Sequence, residues 1–251
     1  MYYETYGTGA PLVLLHGAFM TIDMAFGSLI PELAKTRRVV AVELQGHGRT
    51  ADIDRPFSFE AMADDVAGLF AFLKIDRADV LGYSMGGGVA MNLAIRHPRT
   101  VRKLVVISEA FKYGGWSPET RAVFSQIRPE FFDGTPLRTE YDRLAPNPKR
   151  WSRMIEKMVA FITTPYDYTE KVKTLESPVL LILGDSDGLT TEHAAEMFKL
   201  VGGGGSGDLG TAGDSRWAVL PAASHTGVMM RTDALLGMIP PFLDAPVKSA
   251  R

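Results

Sequence analysis

Apolar positions along the chain fall into two rhythms. Six short runs, "PLVLLHG" (11–17), "RRVVAVEL" (37–44), "ADVLGYS" (78–84), "RKLVVIS" (102–108), "SPVLLILGD" (177–185) and "RWAVLPA" (216–222), are continuously apolar and bounded by turn formers. Such runs suit strands covered on both faces, as in a parallel sheet. Between them the spacing becomes helical. In 59–73, Met62, Val66, Leu69, Phe70 and Leu73 recur on one face, and "GGGVAMNLAIRH" (86–97) stops before Pro98. Alternation of this kind predicts an α/β fold, a doubly wound and mostly parallel sheet with right-handed crossovers.

Residues 111–173 break the rhythm. They hold no convincing strand and are rich in Phe, Tyr, Trp, Met, Arg and Pro. They read as a helical cap or lid inserted between two strands, which leaves 1–110 and 174–251 as the core. A second departure is "GGGGSGDLGTAGDS" (202–215), where 202–207 match Gly-x-Gly-x-x-Gly by count. A dinucleotide loop needs a strand before it and a helix after it. Here the order is reversed, so the segment reads as a flexible surface loop.

Composition narrows the function. The 251 residues suffice for one large core. With 27 basic and 29 acidic residues and no local basic cluster, nothing draws the chain toward nucleic acid or an anionic membrane. No apolar run approaches the length of a membrane span, and the first residues do not resemble a secretory signal, so a cytoplasmic location is expected. The absence of cysteine excludes disulfides, thiolate metal sites and a cysteine nucleophile.

The candidate chemistry starts at "VLGYSMGGG" (80–88). Ser84 follows a predicted strand and precedes a predicted helix, the context of a nucleophile elbow, in which Gly82 and Gly86 leave room for a tight turn. A serine hydroxyl needs a base, most often a histidine held by a carboxylate. Of the five histidines, His225 in "PAASHTG" lies just past the last predicted strand. His97 and His193 read as solvated or capping residues. Asp185 and Asp187 in "LLILGDSDGLT" both sit where a strand end can present them to His225. The chain order Ser, Asp, His is that of an α/β-hydrolase.

The motifs "LLHGAF" (14–19), "ELQGHGRT" (43–50), "GYSMGGG" (82–88), "GDSDGL" (184–189) and "SHTG" (224–227) resemble the α/β-hydrolase superfamily over nearly the whole chain. The resemblance implies a catalytic triad of Ser84, Asp187 and His225, and an oxyanion hole built from the backbone N–H groups of Ala18 and Met85. It makes Asp185 a turn residue, with Glu109 a minority alternative as triad acid. His16 is then a brace for the oxyanion loop and His47 a turn histidine. Phe19 is expected in the pocket wall, with Tyr113, Trp116, Trp151 and Met158 from the cap contributing to an apolar substrate pocket. Phe111, Phe124, Phe131, Phe132, Met154 and Phe161 are further cap candidates, about half of the whole set touching substrate.

The expected activity is hydrolysis of a carboxylic ester or related small, largely apolar acyl substrate, with no metal and no organic cofactor. Lactone, amide and carbon–carbon bond hydrolysis, and cofactor-free perhydrolase chemistry, use the same parts. The resemblance weighs against epoxide hydrolases and haloalkane dehalogenases, which have aspartate at the position of Ser84, and against dienelactone hydrolases, which have cysteine. A ligand-binding sensor with slow turnover is the reading from another class.

Overall fold

The computed structural model describes residues 1–247; residues 248–251, grouped with the core above, lie outside the described residues. The seven strands are β1 (Tyr2–Tyr6), β2 (Ala10–Leu15), β3 (Arg37–Glu43), β4 (Ala78–Tyr83), β5 (Val101–Ile107), β6 (Val179–Ser186) and β7 (Arg216–Ser224). They form one sheet in the order β1-β3-β2-β4-β5-β6-β7. All neighbours are parallel except β1, which runs antiparallel along β3 with Tyr2 opposite Glu43 and Tyr6 opposite Val39. The six apolar runs therefore form the parallel strands, and the sheet gains an edge strand that they did not announce.

Alternate residues of each strand serve opposite faces. Val13, Val40, Val80, Leu104, Val106 and Leu181 pack on one side with α3 (Phe59–Phe72), α4 (Met85–Arg96) and Met197 of α9 (Thr191–Leu200). Leu12, Leu14, Ala41, Leu81, Val105 and Ile182 pack on the other with α1 (Ile22–Phe26), α2 (Ile30–Leu33) and α10 (Thr232–Asp244). Burial on both faces explains why β2 to β6 are continuously apolar, whereas the edge strand β7 buries only Leu220 and Ala223 and is not covered on both faces as its apolar run implies.

The chain leaves β2 toward β3 on one side and returns to β4 on the other, with Leu15 in register with Gly82. The loops after β2 and β4 thus diverge from a topological switch point, where open α/β sheets bind ligands.

Between β5 and β6 the described residues hold α5 (Pro118–Gln126), α6 (Pro136–Leu144), α7 (Trp151–Thr163), α8 (Thr169–Val172) and short 3-10 turns, but no strand. Ser117 and Thr135 cap α5 and α6 through their side chains, each followed by a proline at the first helical position. The two ends of this segment run side by side: the Tyr113 amide donates to the Tyr166 carbonyl at 2.8 Å and the Tyr168 amide to the Phe111 carbonyl at 2.9 Å. The amphipathic α7 buries Trp151, Met154, Ile155 and Met158, one helical face. On its outer side Lys157 pairs with Asp52 and donates to the Ile53 carbonyl at 3.0 Å.

The 202–215 segment lies between α9 and β7 as turns and bends, without the strand–loop–helix setting of a dinucleotide site. No helix among the described residues is long and apolar enough to cross a membrane.

Candidate active site

Ser84 sits between β4 and α4 at φ +50° and ψ −127°, a conformation that a non-glycine residue adopts only when its surroundings enforce it. The enforcement is steric. A Cβ on Gly82 would lie 2.1 Å from the Gly86 carbonyl oxygen, and one on Gly86 would lie 2.0 Å from that of Leu15. The helix can therefore start directly against β2 only because both side chains are absent. This places the Ser84 hydroxyl at the N-terminus of α4, where unpaired N–H groups favour negative charge.

His225 follows β7, and its Nε2 lies 3.0 Å from Ser84 Oγ while its Nδ1 lies 3.0 Å from Asp187 Oδ1. With an ionised Asp187 as acceptor, Nδ1 carries the proton and Nε2 is left to accept from the serine. The Asp187 side chain is fully buried while that of His225 is 31% exposed. Burial raises the Asp187 pKa, but the hydrogen bond and charge of His225 outweigh it and the net shift is downward. The Ser108 hydroxyl, held at φ +54°, also favours the ionised carboxylate. Asp185 is differently engaged, accepting from the Ala222 and Ala223 amides at 3.0 and 3.3 Å.

Ala18, Met85, Ser84 and His225 line one cavity of about 220 Å³. Among the described residues, neither the Ala18 nor the Met85 amide is engaged in a hydrogen bond. The Ala18 loop is held by His16, which is fully buried. The Leu44 amide donates to His16 Nε2 at 3.1 Å, and His16 Nδ1 donates to the Gly17 carbonyl at 2.8 Å. Desolvation, with His47 nearby, pushes the His16 pKa down to about 3, so the ring is neutral and its single N–H is held by the Gly17 carbonyl. His47, its ring tilted at 51° to that of His16 with centroids 5.1 Å apart, is buried and shifted down to about 4, first by the same desolvation.

The pocket wall departs from expectation. Phe19, Trp116, Phe124 and Phe161 line the cavity, and the Trp116 ring stands edge-on to His225 at 5.5 Å. Tyr113, Trp151 and Met158 do not line it. Trp151 packs between Phe132 and Tyr141, Met158 is fully buried in the core, and Tyr113 lies behind Tyr166 with Arg121 over its ring. Aromatic content marked the segment as pocket-forming, but the inward face of α7 is occupied by packing against the core. Met154 and Phe111 share that fate, Phe131 is exposed, and Phe132 reaches the site only through Phe19, at 4.9 Å between rings.

The lining also includes Phe59, Ile127, Leu137, Ile162, Glu109 and Tyr166, the last in the irregular stretch after α7 where no periodicity marks it. A larger groove of about 920 Å³ shares Phe59, Phe161 and Tyr166 with this cavity but touches none of Ser84, Asp187 or His225. His193, expected as a solvated or capping residue, is buried: its ring stacks on Phe111 at 4.2 Å and its Nε2 accepts from the Phe111 amide. No cluster of potential metal ligands occurs among the described residues.

A model of the alpha/beta hydrolase fold family matches residues 10–169. The chain is 39% identical over 107 residues to a 2-hydroxymuconate semialdehyde hydrolase of Pseudomonas sp., covering 41% of this chain and 38% of that protein. It is 28% identical over 259 residues to a pimeloyl-[acyl-carrier protein] methyl ester esterase of Neisseria meningitidis, covering 94% of this chain and 93% of that one. Among solved structures, the enol-lactonase of Burkholderia xenovorans superposes with a TM-score of 0.73 at 23% identity, over 97% of this chain and 96% of that one. The match to the first of these relatives thus spans well under half of its length, while the fold likeness runs end to end.

Proposed function

The chain belongs to the α/β-hydrolase fold family, and from that premise we propose that it is a serine hydrolase that cleaves a carboxylic ester or related small acyl compound through an acyl-enzyme. The observation that carries this reading is the pair of 3.0 Å contacts joining Ser84, His225 and Asp187 beside two unengaged backbone amides. His225 Nε2 takes the Ser84 proton as Oγ attacks the carbonyl carbon, while Asp187 holds the imidazole in the required tautomer and stabilises its charged form. The carbonyl oxygen becomes an oxyanion beside the Ala18 and Met85 amides, each such donor being worth about 3–4 kcal/mol. Collapse expels the alcohol, which receives the proton from His225. Water, deprotonated by His225, then attacks the acyl-serine and regenerates the hydroxyl. Every proton is accounted for without a metal or organic cofactor.

Residues 111–173 act as the cap in this reading. Through Trp116, Phe124, Ile127, Leu137, Phe161 and Ile162 they give the cavity its apolar wall, which suits a small, largely apolar acyl group.

Turnover of p-nitrophenyl acetate by the wild type and by Ser84→Ala tests the proposal. The wild type should hydrolyse the ester, and the variant should not exceed background. Equal rates would remove Ser84 from the mechanism, and no turnover of any ester would favour the sensor reading. Carbon–carbon bond hydrolysis by the same residues is favoured by the 39% identity to a protein named for 2-hydroxymuconate semialdehyde. A kcat/KM for that compound well above the ester values would select it.

A further inference from the structure

Glu109, at the end of β5, is a buried carboxyl that the proposed steps do not use, although it lines the same cavity as Ser84 and His225. Its hydrogen bonds converge on one oxygen. The Ala110 amide donates to Oε1 at 3.0 Å and the Tyr166 hydroxyl donates to Oε1 at 3.1 Å, while Trp116 Nε1 donates in turn to the Tyr166 oxygen at 3.2 Å. Both bonds fall on Oε1, so among the described residues Oε2 is the oxygen left for a ligand, and it is a donor while the carboxyl holds its proton. Apart from Ser84, His225, Thr226, Tyr83 and Tyr166, the rest of the lining is apolar.

We propose that Glu109, held by Tyr166, is a polar subsite of this cavity that donates a hydrogen bond to an uncharged oxygen, such as a keto carbonyl, carried by the substrate away from the scissile bond. The proposal rests on the reading of Ser84 as the nucleophile and assigns the substrate class of that same pocket: oxygenated rather than plain alkyl compounds. Its charge environment agrees. Desolvation pushes the Glu109 pKa up to about 8 against the Ala110 and Tyr166 hydrogen bonds, and the Asp187 charge pushes the same way. Among the described residues no lysine or arginine lines either cavity that Glu109 borders, and His225 lines the first of them. Tyr83, Tyr166 and Tyr168 are all shifted upward, chiefly by burial, and His193, which shares a second small cavity with Glu109, is shifted down to about 4 by desolvation first. Above about pH 8 the acid becomes an acceptor and loses its donor role.

The test measures dissociation constants of Ser84→Ala for linear monoketones and matched diketones, and kcat/KM of the Ser84 protein for p-nitrophenyl pentanoate and its 4-oxo and 5-oxo analogues. One added ketone should improve binding and kcat/KM about tenfold, the worth of one hydrogen bond. That preference should fall as pH rises through about 8. Glu109→Leu should abolish it. Glu109→Gln, whose amide donates at every pH, should retain it without the pH dependence, and Tyr166→Phe should weaken it. No preference for any oxygen position, or a preference unchanged by Glu109→Leu or flat with pH in the wild type, would overturn the subsite. If Glu109→Leu fails to fold, the pH profiles of the wild type and Glu109→Gln decide alone. Discrimination in the binding series without turnover of any ester would instead retain the subsite and reject the hydrolase reading.

Discussion

Asp187 and Asp185 leave the same strand end with different partners: Asp187 meets the His225 ring at 3.0 Å, whereas Asp185 is occupied by the amides of Ala222 and Ala223. Replacing Asp187 by Asn removes the negative charge and sets an amide N–H donor beside the ring, so the imidazole is no longer held with its proton on Nδ1. This should lower kcat on esters by about 10⁴-fold. The same exchange at Asp185 keeps an acceptor oxygen for the β7 turn and should change kcat little. Steady-state kinetics on the two variants decides the assignment, and the reverse outcome would move the triad acid to Asp185.

The elbow gives the second prediction. A methyl group at residue 86 would have to occupy space 2.0 Å from the Leu15 carbonyl oxygen, and backbone on both sides makes the clash rigid. Gly86→Ala must therefore push α4 from β2 by more than an ångström. Misplacement on that scale costs about 10²-fold in rate, and overpacking adds about 1–3 kcal/mol of lost stability. Activity and Tm should fall together. A variant with wild-type values of both would show that the turn is not sterically determined.

These two sites show what made part of the protein legible. The strands covered on both faces write themselves as unbroken apolar runs, and the elbow writes itself in glycines because backbone contact tolerates nothing larger. β1 escaped notice because "YYETY" is a half-buried edge strand, where one face meets solvent and no continuous run is needed. The pocket was harder. Trp151, Met154, Ile155 and Met158 form one buried face of α7, but the aromatic and apolar content that placed Trp151 and Met158 in a pocket does not say whether such a face meets the core or a ligand. Tyr166 and Glu109 carry no pattern of their own, since they enter the cavity from a loop and from a strand end.

Lys157 and Asp52 form an ion pair between α7 and the loop after β3, with the Asp52 side chain only 2% exposed. Lys157→Met should leave that carboxylate with the Gln45 amide, 3.1 Å away, as its remaining side-chain donor. An uncompensated buried charge of this kind costs about 3–5 kcal/mol. Adding Asp52→Asn removes the charge and should restore part of the loss. Urea midpoints of the single and double variants measure both effects. Equal destabilisation by the single and double variants would show that the pair does not act through charge.

Glu109 also sets a pH dependence of stability whose sign follows from its pKa of about 8 in the folded protein. Unfolded, the carboxyl titrates near 4.3. Below that pH both states hold the proton and Glu109 contributes its full share of stability. Between the two values the unfolded chain releases the proton while the folded one retains it. Stability is therefore lost as pH rises, by at most about 1.4 kcal/mol per pH unit, and the loss levels off above about 8. Glutamine keeps the shape and does not ionise, so Glu109→Gln should gain on the wild type progressively from about pH 5 to 8. The buried His16, His47 and His193 have lowered pKa values and act in the opposite direction at lower pH, but they are common to both proteins and cancel in the difference. Urea denaturation of the two proteins across this range measures the gap. A gap that stays constant with pH would mean that Glu109 ionises like an ordinary carboxyl in the folded state.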